Sequence, residues 1–223
     1  HLSLRRQRQM CIRDSYENVW KLFRDEYPEA NWGSSLAIQA WLASRTLDYL
    51  LDPQYNHRID NNAVGITGFS RYGKQAIYAA AFDERFTCVV ARSSGTPTSC
   101  SYRFSGRHTF MESISREDCP EAWLIDDSRD FYGRENELPI EGNSLLACIA
   151  PRYLMLDTAY NDGCDPTFGV ERNYLSAKKA WTFLGQDNKI CLSYRKGNHD
   201  PVTNEQVSFN LDFFDLSFGR QTD

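Results

Sequence analysis

The 223-residue chain carries 25 Lys and Arg against 30 Asp and Glu, a net charge of −5 at pH 7. That balance gives no basic stripe for a nucleic-acid backbone and no polybasic membrane anchor. With 41% hydrophobic and 25% charged residues the usage is that of a globular protein, which excludes disorder and coiled coil, and no apolar run approaches the roughly 20 residues that span a bilayer.

Residues 1–15 are basic, with Leu2, Leu4, Met10 and Ile12 scattered among the charges. They lack the apolar central region of a secretory signal, and the run from Arg5 to Asp14 resembles a translated sequencing adapter, so they are set apart as a non-native extension. The remaining residues, 16–223, read as one domain. Apolar positions from Trp32 to Leu51 recur at helical spacing, through Leu36, Ala40, Ala43, Leu47 and Leu50, until Asp52-Pro53 stops them. Ala63 to Thr67 is a short, β-branched strand that enters Gly68-Phe69-Ser70-Arg71-Tyr72-Gly73-Lys74, and helical spacing resumes at once over 75–81. Thr87 to Ala91 is a second strand. Residues 94–142 form a polar stretch, read as an insertion or surface flap, with packing points at 111–114 and 123–125. A short helix over 144–149, a strand over 153–157, a helix over 169–184, a strand over 190–194 and a terminal helix over 207–218 complete the chain. Strands alternating with helices predict an α/β fold: a mostly parallel sheet covered on both faces.

Six cysteines remain after Cys11 is set aside, and none share the C-x-x-C spacing of a zinc or redox site. Cys88, Cys148 and Cys191 lie in apolar runs and are expected to be buried. Cys100 with Cys119, or Cys164 with a neighbour, are open as disulfides.

Ser70 stands where a strand turns sharply into a helix, flanked by glycines. That is the setting of a nucleophile elbow, which presents a serine hydroxyl at a helix N-terminus while the next backbone N–H faces a developing oxyanion. Here the second glycine comes one residue later than in G-x-S-x-G. A serine nucleophile needs a base and an acid to orient it, and on such folds they follow in the order Ser, Asp or Glu, His. Of His1, His57, His108 and His199, only His199 follows the last strand, in Gly197-Asn198-His199-Asp200. His57 and His108 read as surface residues. The acid belongs after the third strand, where Asp157, Asp162 and Asp165 stand. Asp157 falls within the strand. Asp162, at a glycine-containing turn, is the expected acid; Asp165 is the alternative, or else a cap for the next segment.

These residues resemble the glucuronoyl esterases, carbohydrate esterase family fifteen. The run Gly68 to Lys74 is similar to that family's G-C-S-R-x-G-K. Gly133 to Pro139 is similar to its G-R-E-x-E-L-P, and Leu145 to Arg152 to its L-x-A-L-I-A-P-R. The resemblance runs over about residues 30–215. It implies an α/β-hydrolase three-layer sandwich that cleaves esters between xylan-linked (4-O-methyl)glucuronic acid and lignin alcohols. No metal or organic cofactor, no nucleic acid and no membrane partner is implied. The implied full-length state is a monomer, secreted or periplasmic because lignocellulose lies outside the cell. By the same resemblance Ser70 matches the nucleophile, His199 the base, Arg71 the oxyanion residue and Lys74 a sugar contact.

The departures are specific. Ser93 stands where many members carry a catalytic Glu, which leaves the acid to the Asp162 loop, as in other members. That loop, Asp162 to Pro166, lacks the family's sugar-site Trp. Phe69 replaces the Cys before the nucleophile, so that disulfide is absent. Only four strands are readable, so the N-terminal strands of the sheet are expected to be missing and the piece alone to be poorly soluble or inactive. Another carbohydrate or acyl esterase, such as an acetyl esterase, and a non-catalytic carbohydrate-binding relative remain open beside the glucuronoyl reading.

Overall fold

The computed structural model describes residues 18–30, 34–55, 59–104, 114, 124, 126–199 and 203–220. Residues 1–15, His57, His108, Cys119 and most of the two packing points in the polar stretch lie outside that set.

Four parallel strands form one sheet in the order β1 (Gly65–Phe69), β2 (Cys88–Arg92), β3 (Tyr153–Ala159) and β4 (Ile190–Arg195). The helices are α1 (18–26), α2 (Ser35–Leu51), α3 (Arg71–Phe82), α4 (Asp126–Arg129), α5 (Gly142–Ala147), α6 (Thr167–Phe183) and α7 (Asn204–Ser217). Each strand-to-strand step inside the sheet is thus a crossover through helix, which is what parallel pairing demands.

The alternation of side chains along a strand sorts the core into two faces. Val89 and Ala91 on β2, with Leu154 and Leu156 on β3, join Ala76, Ile77 and Ala80 of α3, Leu146 of α5 and Trp181 of α6 in one buried cluster. Each valine, leucine or isoleucine among them, fully removed from water, contributes about 1.5–3 kcal/mol. Trp181 is wholly buried, and its indole N–H still finds an acceptor, the carbonyl of Arg152 at 2.9 Å. The other face carries Cys88 and Tyr153. There α7 lies across the sheet: the Cys88 thiol meets the Ser217 hydroxyl at 3.3 Å, and the Tyr153 ring meets Phe213 edge-on. Gly65 is required by the same crossing, since a Cβ there would stand 2.3 Å from the Phe214 ring.

The expected elements are present with shifted ends. The first strand was expected from Ala63 but begins at Gly65, because Val64 is spent on Thr87: its carbonyl accepts from the Thr87 N–H at 2.8 Å and its N–H donates to Thr87 Oγ1 at 3.1 Å. α7 begins at Asn204, not Val207, because Thr203 and Gln206 form a reciprocal capping box. Ser34 caps α2, accepting from the Ala37 N–H at 3.2 Å.

Two expectations are corrected. Cys148 is exposed and Cys191 half-buried; only Cys88 of that trio is fully enclosed. Cys100 is buried as a free thiol. The start of the polar stretch is no surface flap either. Ser94, Thr96, Thr98, Ser99, Cys100, Ser101 and Tyr102 are all buried. Apart from the Ser94 hydroxyl, the polar groups there find partners: Ser101 donates to Asn173 at 2.6 Å, Asn173 to the Thr98 carbonyl at 2.7 Å, and the Tyr102 N–H to buried Glu141 at 3.0 Å. Among the described residues no helix is long and apolar enough to cross a membrane.

Candidate active site

A parallel sheet sends the residue after each strand to one edge. Ser70 directly follows β1, Ser93 directly follows β2, Asp162 stands in the loop beyond β3, and His199 in the loop beyond β4. The sequence therefore delivers one polar group per strand to a common rim.

Ser70 sits at φ 57° and ψ −124°, outside the region that L residues favour, which costs on the order of 1–3 kcal/mol. Its N–H donates to the Arg92 carbonyl at 2.8 Å and its carbonyl accepts from the Lys74 N–H at 3.1 Å, so both flanks of the turn are fastened. The glycines are required by close approach. A Cβ on Gly68 would stand 2.1 Å from the Tyr72 carbonyl oxygen, and one on Gly73 2.9 Å from the Ser94 Cβ. The later second glycine is thus the residue where α3 touches the segment after β2.

The Ser70 hydroxyl lies 2.9 Å from His199 Nε2. On the other side of the ring, Nδ1 lies 3.1 and 3.0 Å from the two carboxylate oxygens of Asp162. Phe69 supports the imidazole, with ring centroids 4.8 Å apart. Asp162 is almost fully buried. Burial would raise its carboxyl, but hydrogen bonds from His199 and Ser93, the charge of His199 and the Cys164 N–H together hold it below the ordinary aspartate value. The Cys164 and Asp165 N–H groups both donate to Oδ1, at 2.9 and 3.2 Å.

Asp165, the alternative acid, is placed elsewhere. Its carboxylate accepts from the Gly95 N–H at 3.0 Å and the Ser99 hydroxyl at 2.5 Å. Nor does it cap the next helix, whose N-cap is Pro166. Burial, with the nearby Asp162 charge, pushes its carboxyl up to about 6. Because that value lies above the ordinary 3.8, Asp165 stabilises the fold at low pH, and its contribution is lost as pH rises through about 6. The amount is up to about 3 kcal/mol. Asp165→Asn is therefore expected to gain in Tm relative to the parent by several degrees between pH 4.5 and pH 8. A Tm difference that stays flat or runs the other way across that range contradicts this.

Arg71 lays its guanidinium 5.0 Å from the Tyr72 ring centroid and donates to the Tyr72 hydroxyl at 3.2 Å. Lys74 is placed differently from the expected sugar contact. It is 1% exposed, and its ammonium donates to the Ser94 carbonyl inside the protein. The reason is helical: Lys74 shares the inner stripe of α3 with Gly73, Ala76 and Ile77.

Asp162, Cys164 and His199 offer oxygen, sulfur and nitrogen atoms within 4.8 Å of one another. Two of these donors are already engaged with each other and with Ser70, an arrangement suited to moving a proton along Ser70–His199–Asp162. Phe69, Ser93 and Arg195 complete the surroundings. Phe69 and Ser93 stand out in the sequence only as departures from a motif, and Arg195 does not stand out by motif at all. Its position as the charged last residue of an otherwise uncharged strand was the available signal.

A family model described as glucuronyl esterase, fungi, matches residues 7–185. The 4-O-methyl-glucuronoyl methylesterase of Hypocrea jecorina is 31% identical over 178 residues, covering 77% of this chain and 38% of that protein. The enzyme of the same name from Podospora anserina is 29% identical over 206 residues, covering 86% and 41%. Among solved structures, a carbohydrate esterase family 15 glucuronoyl esterase from Caldicellulosiruptor kristjansonii superposes with a TM-score of 0.77 at 31% identity, covering 90% of this chain and 56% of the other. The Hypocrea jecorina glucuronoyl esterase catalytic domain gives 0.77 at 26% identity, with the same coverage. The chain spans less than half the length of the two curated relatives named here.

Proposed function

Because this chain belongs to the glucuronyl esterase family and carries part of an α/β-hydrolase fold, we propose that it holds the reacting groups of a serine carboxylic ester hydrolase acting on glucuronoyl esters. The observation that carries the reading is the unbroken line from the Ser70 hydroxyl to His199 at 2.9 Å and from His199 to Asp162 at 3.0 Å.

In the proposed cycle, Ser70 Oγ attacks the ester carbonyl while His199 Nε2 takes its proton. Asp162 holds Nδ1 protonated and stabilises the imidazolium. The tetrahedral oxyanion forms at the start of α3, where the Arg71 N–H and the helix dipole favour negative charge. The Arg71 guanidinium can turn from Tyr72 to add a second donor. The alcohol leaves with the proton from His199, and water activated by the same imidazole releases the acid from Ser70. No cofactor takes part in this cycle. The proposed substrates are esters joining xylan-linked (4-O-methyl)glucuronic acid to lignin alcohols. Two curated relatives are named for a 4-O-methyl-glucuronoyl methyl ester, which supports the acid half of that bond. A polymeric substrate outside the cell implies a secreted or periplasmic protein.

The acetyl-ester reading keeps one specific observation in its favour: Lys74, the expected sugar contact, is buried. Hydrolysis of the methyl ester of 4-O-methylglucuronate compared with that of acetylated xylan separates the two. Preferred glucuronate-ester turnover is expected. Turnover of the acetyl ester alone replaces the proposal with the acetyl-esterase reading, and sugar binding without any turnover replaces it with a binding role.

A further inference from the structure

We propose that Ser93 and Arg195 are positioning residues of this site: Arg195, acting through the Ser93 hydroxyl, holds the Asp162 carboxylate against His199. The proposal rests on the reading of Ser70, His199 and Asp162 given above.

Arg195 ends β4 and is 8% exposed. One arm of its guanidinium donates to the Asn198 carbonyl at 3.3 Å, one residue before His199. The other, Nη2, donates to Ser93 Oγ and stands 3.9 Å from Asp162 Oδ2. Its Nε lies 3.6 Å from Asp157 Oδ2. One planar group therefore touches three of the four strand-end segments that make the rim.

The direction of the hydrogen bonds follows from valence. A guanidinium can only donate, so Ser93 Oγ accepts from it. The hydroxyl keeps a single hydrogen, which in this proposal turns to the Asp162 carboxylate, the neighbour 3.9 Å from the same Nη2. Asp162 then receives Ser93 from one side and His199 Nδ1–H from the other, with the Cys164 and Asp165 N–H groups behind it. With Ser93 so turned, four donors surround two oxygens and oppose any swing of the carboxylate away from the imidazole. Ser93 polarised by a cation is a stronger donor than a free hydroxyl.

The charges are arranged to permit this. Arg92 and Arg195 face Asp157 on the inner side of the rim, and Asp162 faces Arg195 and His199, with Asp165 nearby. A third carboxylate at position 93 would add another buried anion beside Asp157 and Asp162. A hydroxyl passes the cation's influence to Asp162 without adding charge. Ser93 also stands at φ 44°, where glycine fits and a β-branched residue would not.

That backbone makes Ser93→Gly a clean test: it removes the hydroxyl without adding strain. The readouts are kcat and KM on the methyl ester of 4-O-methylglucuronate, together with the far-downfield proton resonance of His199 Nδ1–H, identified by its loss in His199→Gln. Ser93→Gly is expected to lower kcat by roughly 10–100-fold with KM nearly constant, and to shift or broaden the resonance. Arg195→Lys, which keeps the charge but loses the fork, should show the same pair of changes to a smaller degree. A folded Ser93→Gly protein in which either readout stays at the parent value overturns the proposal; if that variant does not fold, Arg195→Lys decides by the same two readouts. Should the parent hydrolyse no glucuronate ester, the kinetic readout falls away with the reaction reading of this chain alone, and the resonance by itself decides whether Ser93 and Arg195 position Asp162: an unchanged resonance in Ser93→Gly overturns the proposal.

Discussion

Ser70→Ala is expected to lower kcat on a glucuronate methyl ester by about 10⁴- to 10⁶-fold, the loss seen when a triad nucleophile is removed from other serine hydrolases. The lower bound corresponds to about 5.5 kcal/mol of transition-state stabilisation. The effect is chemical, because the hydroxyl has no structural duty that alanine would abandon. Ser70 makes no side-chain cap to α3, and its contact in the site is His199 Nε2 at 2.9 Å. The strain at φ 57° belongs to the backbone and is shared by any residue with a Cβ, so Tm should stay within a degree or two of the parent. KM should change little, since the acid half of the ester meets groups other than the hydroxyl. Labelling by a fluorophosphonate, which needs the serine oxygen, should vanish in the same variant. Retention of turnover within tenfold of the parent would mean that another group attacks the ester.

How much of this could be seen in the chain alone depends on whether a residue's duty is local. The elbow is local: Gly68, Ser70 and Gly73 are fixed by contacts within one strand–turn–helix unit and one neighbour. His199 was legible because histidines are few and only one follows the last strand. The choice between Asp162 and Asp165 was not decided locally. They stand three residues apart in one loop, and what separates them is the segment after β2: Gly95 and Ser99 bind Asp165, which leaves Asp162 to His199. That segment was read as surface because it is polar. It is buried because its hydroxyls and amides meet buried partners such as Asn173 and Glu141, which no hydropathy pattern reveals. Lys74 is matched by resemblance to a sugar contact, while helical spacing with Gly73, Ala76 and Ile77 puts it on the buried stripe of α3. Arg195 carries only a faint local sign, a charge at the end of an uncharged strand, and its partners Asp157, Ser93 and Asp162 come from other segments.

Asp162→Asn should lower kcat by about 10⁴-fold, as the equivalent change does in the chymotrypsin-type triad. The reason lies in which oxygen the asparagine keeps. Two backbone N–H groups, from Cys164 and Asp165, both point at Oδ1. The variant's one carbonyl oxygen is drawn to that position, which puts the amide NH₂ where Oδ2 stood, 3.0 Å from His199 Nδ1. An NH₂ donates, so Nδ1 must be the acceptor and the imidazole proton moves to Nε2. A protonated Nε2 cannot take the proton of Ser70, and the base is held in the wrong tautomer. Ser93 is affected too, because its hydroxyl, held by Arg195, would face an NH₂ in place of an acceptor. The loss should fall on kcat, with KM within a few-fold. Asp165→Asn should cost less than tenfold, since the carboxylate it replaces bonds Gly95 and Ser99. Measured side by side on one ester, the two asparagine variants assign the acid, and a larger loss from position 165 than from position 162 would overturn Asp162 as the acid.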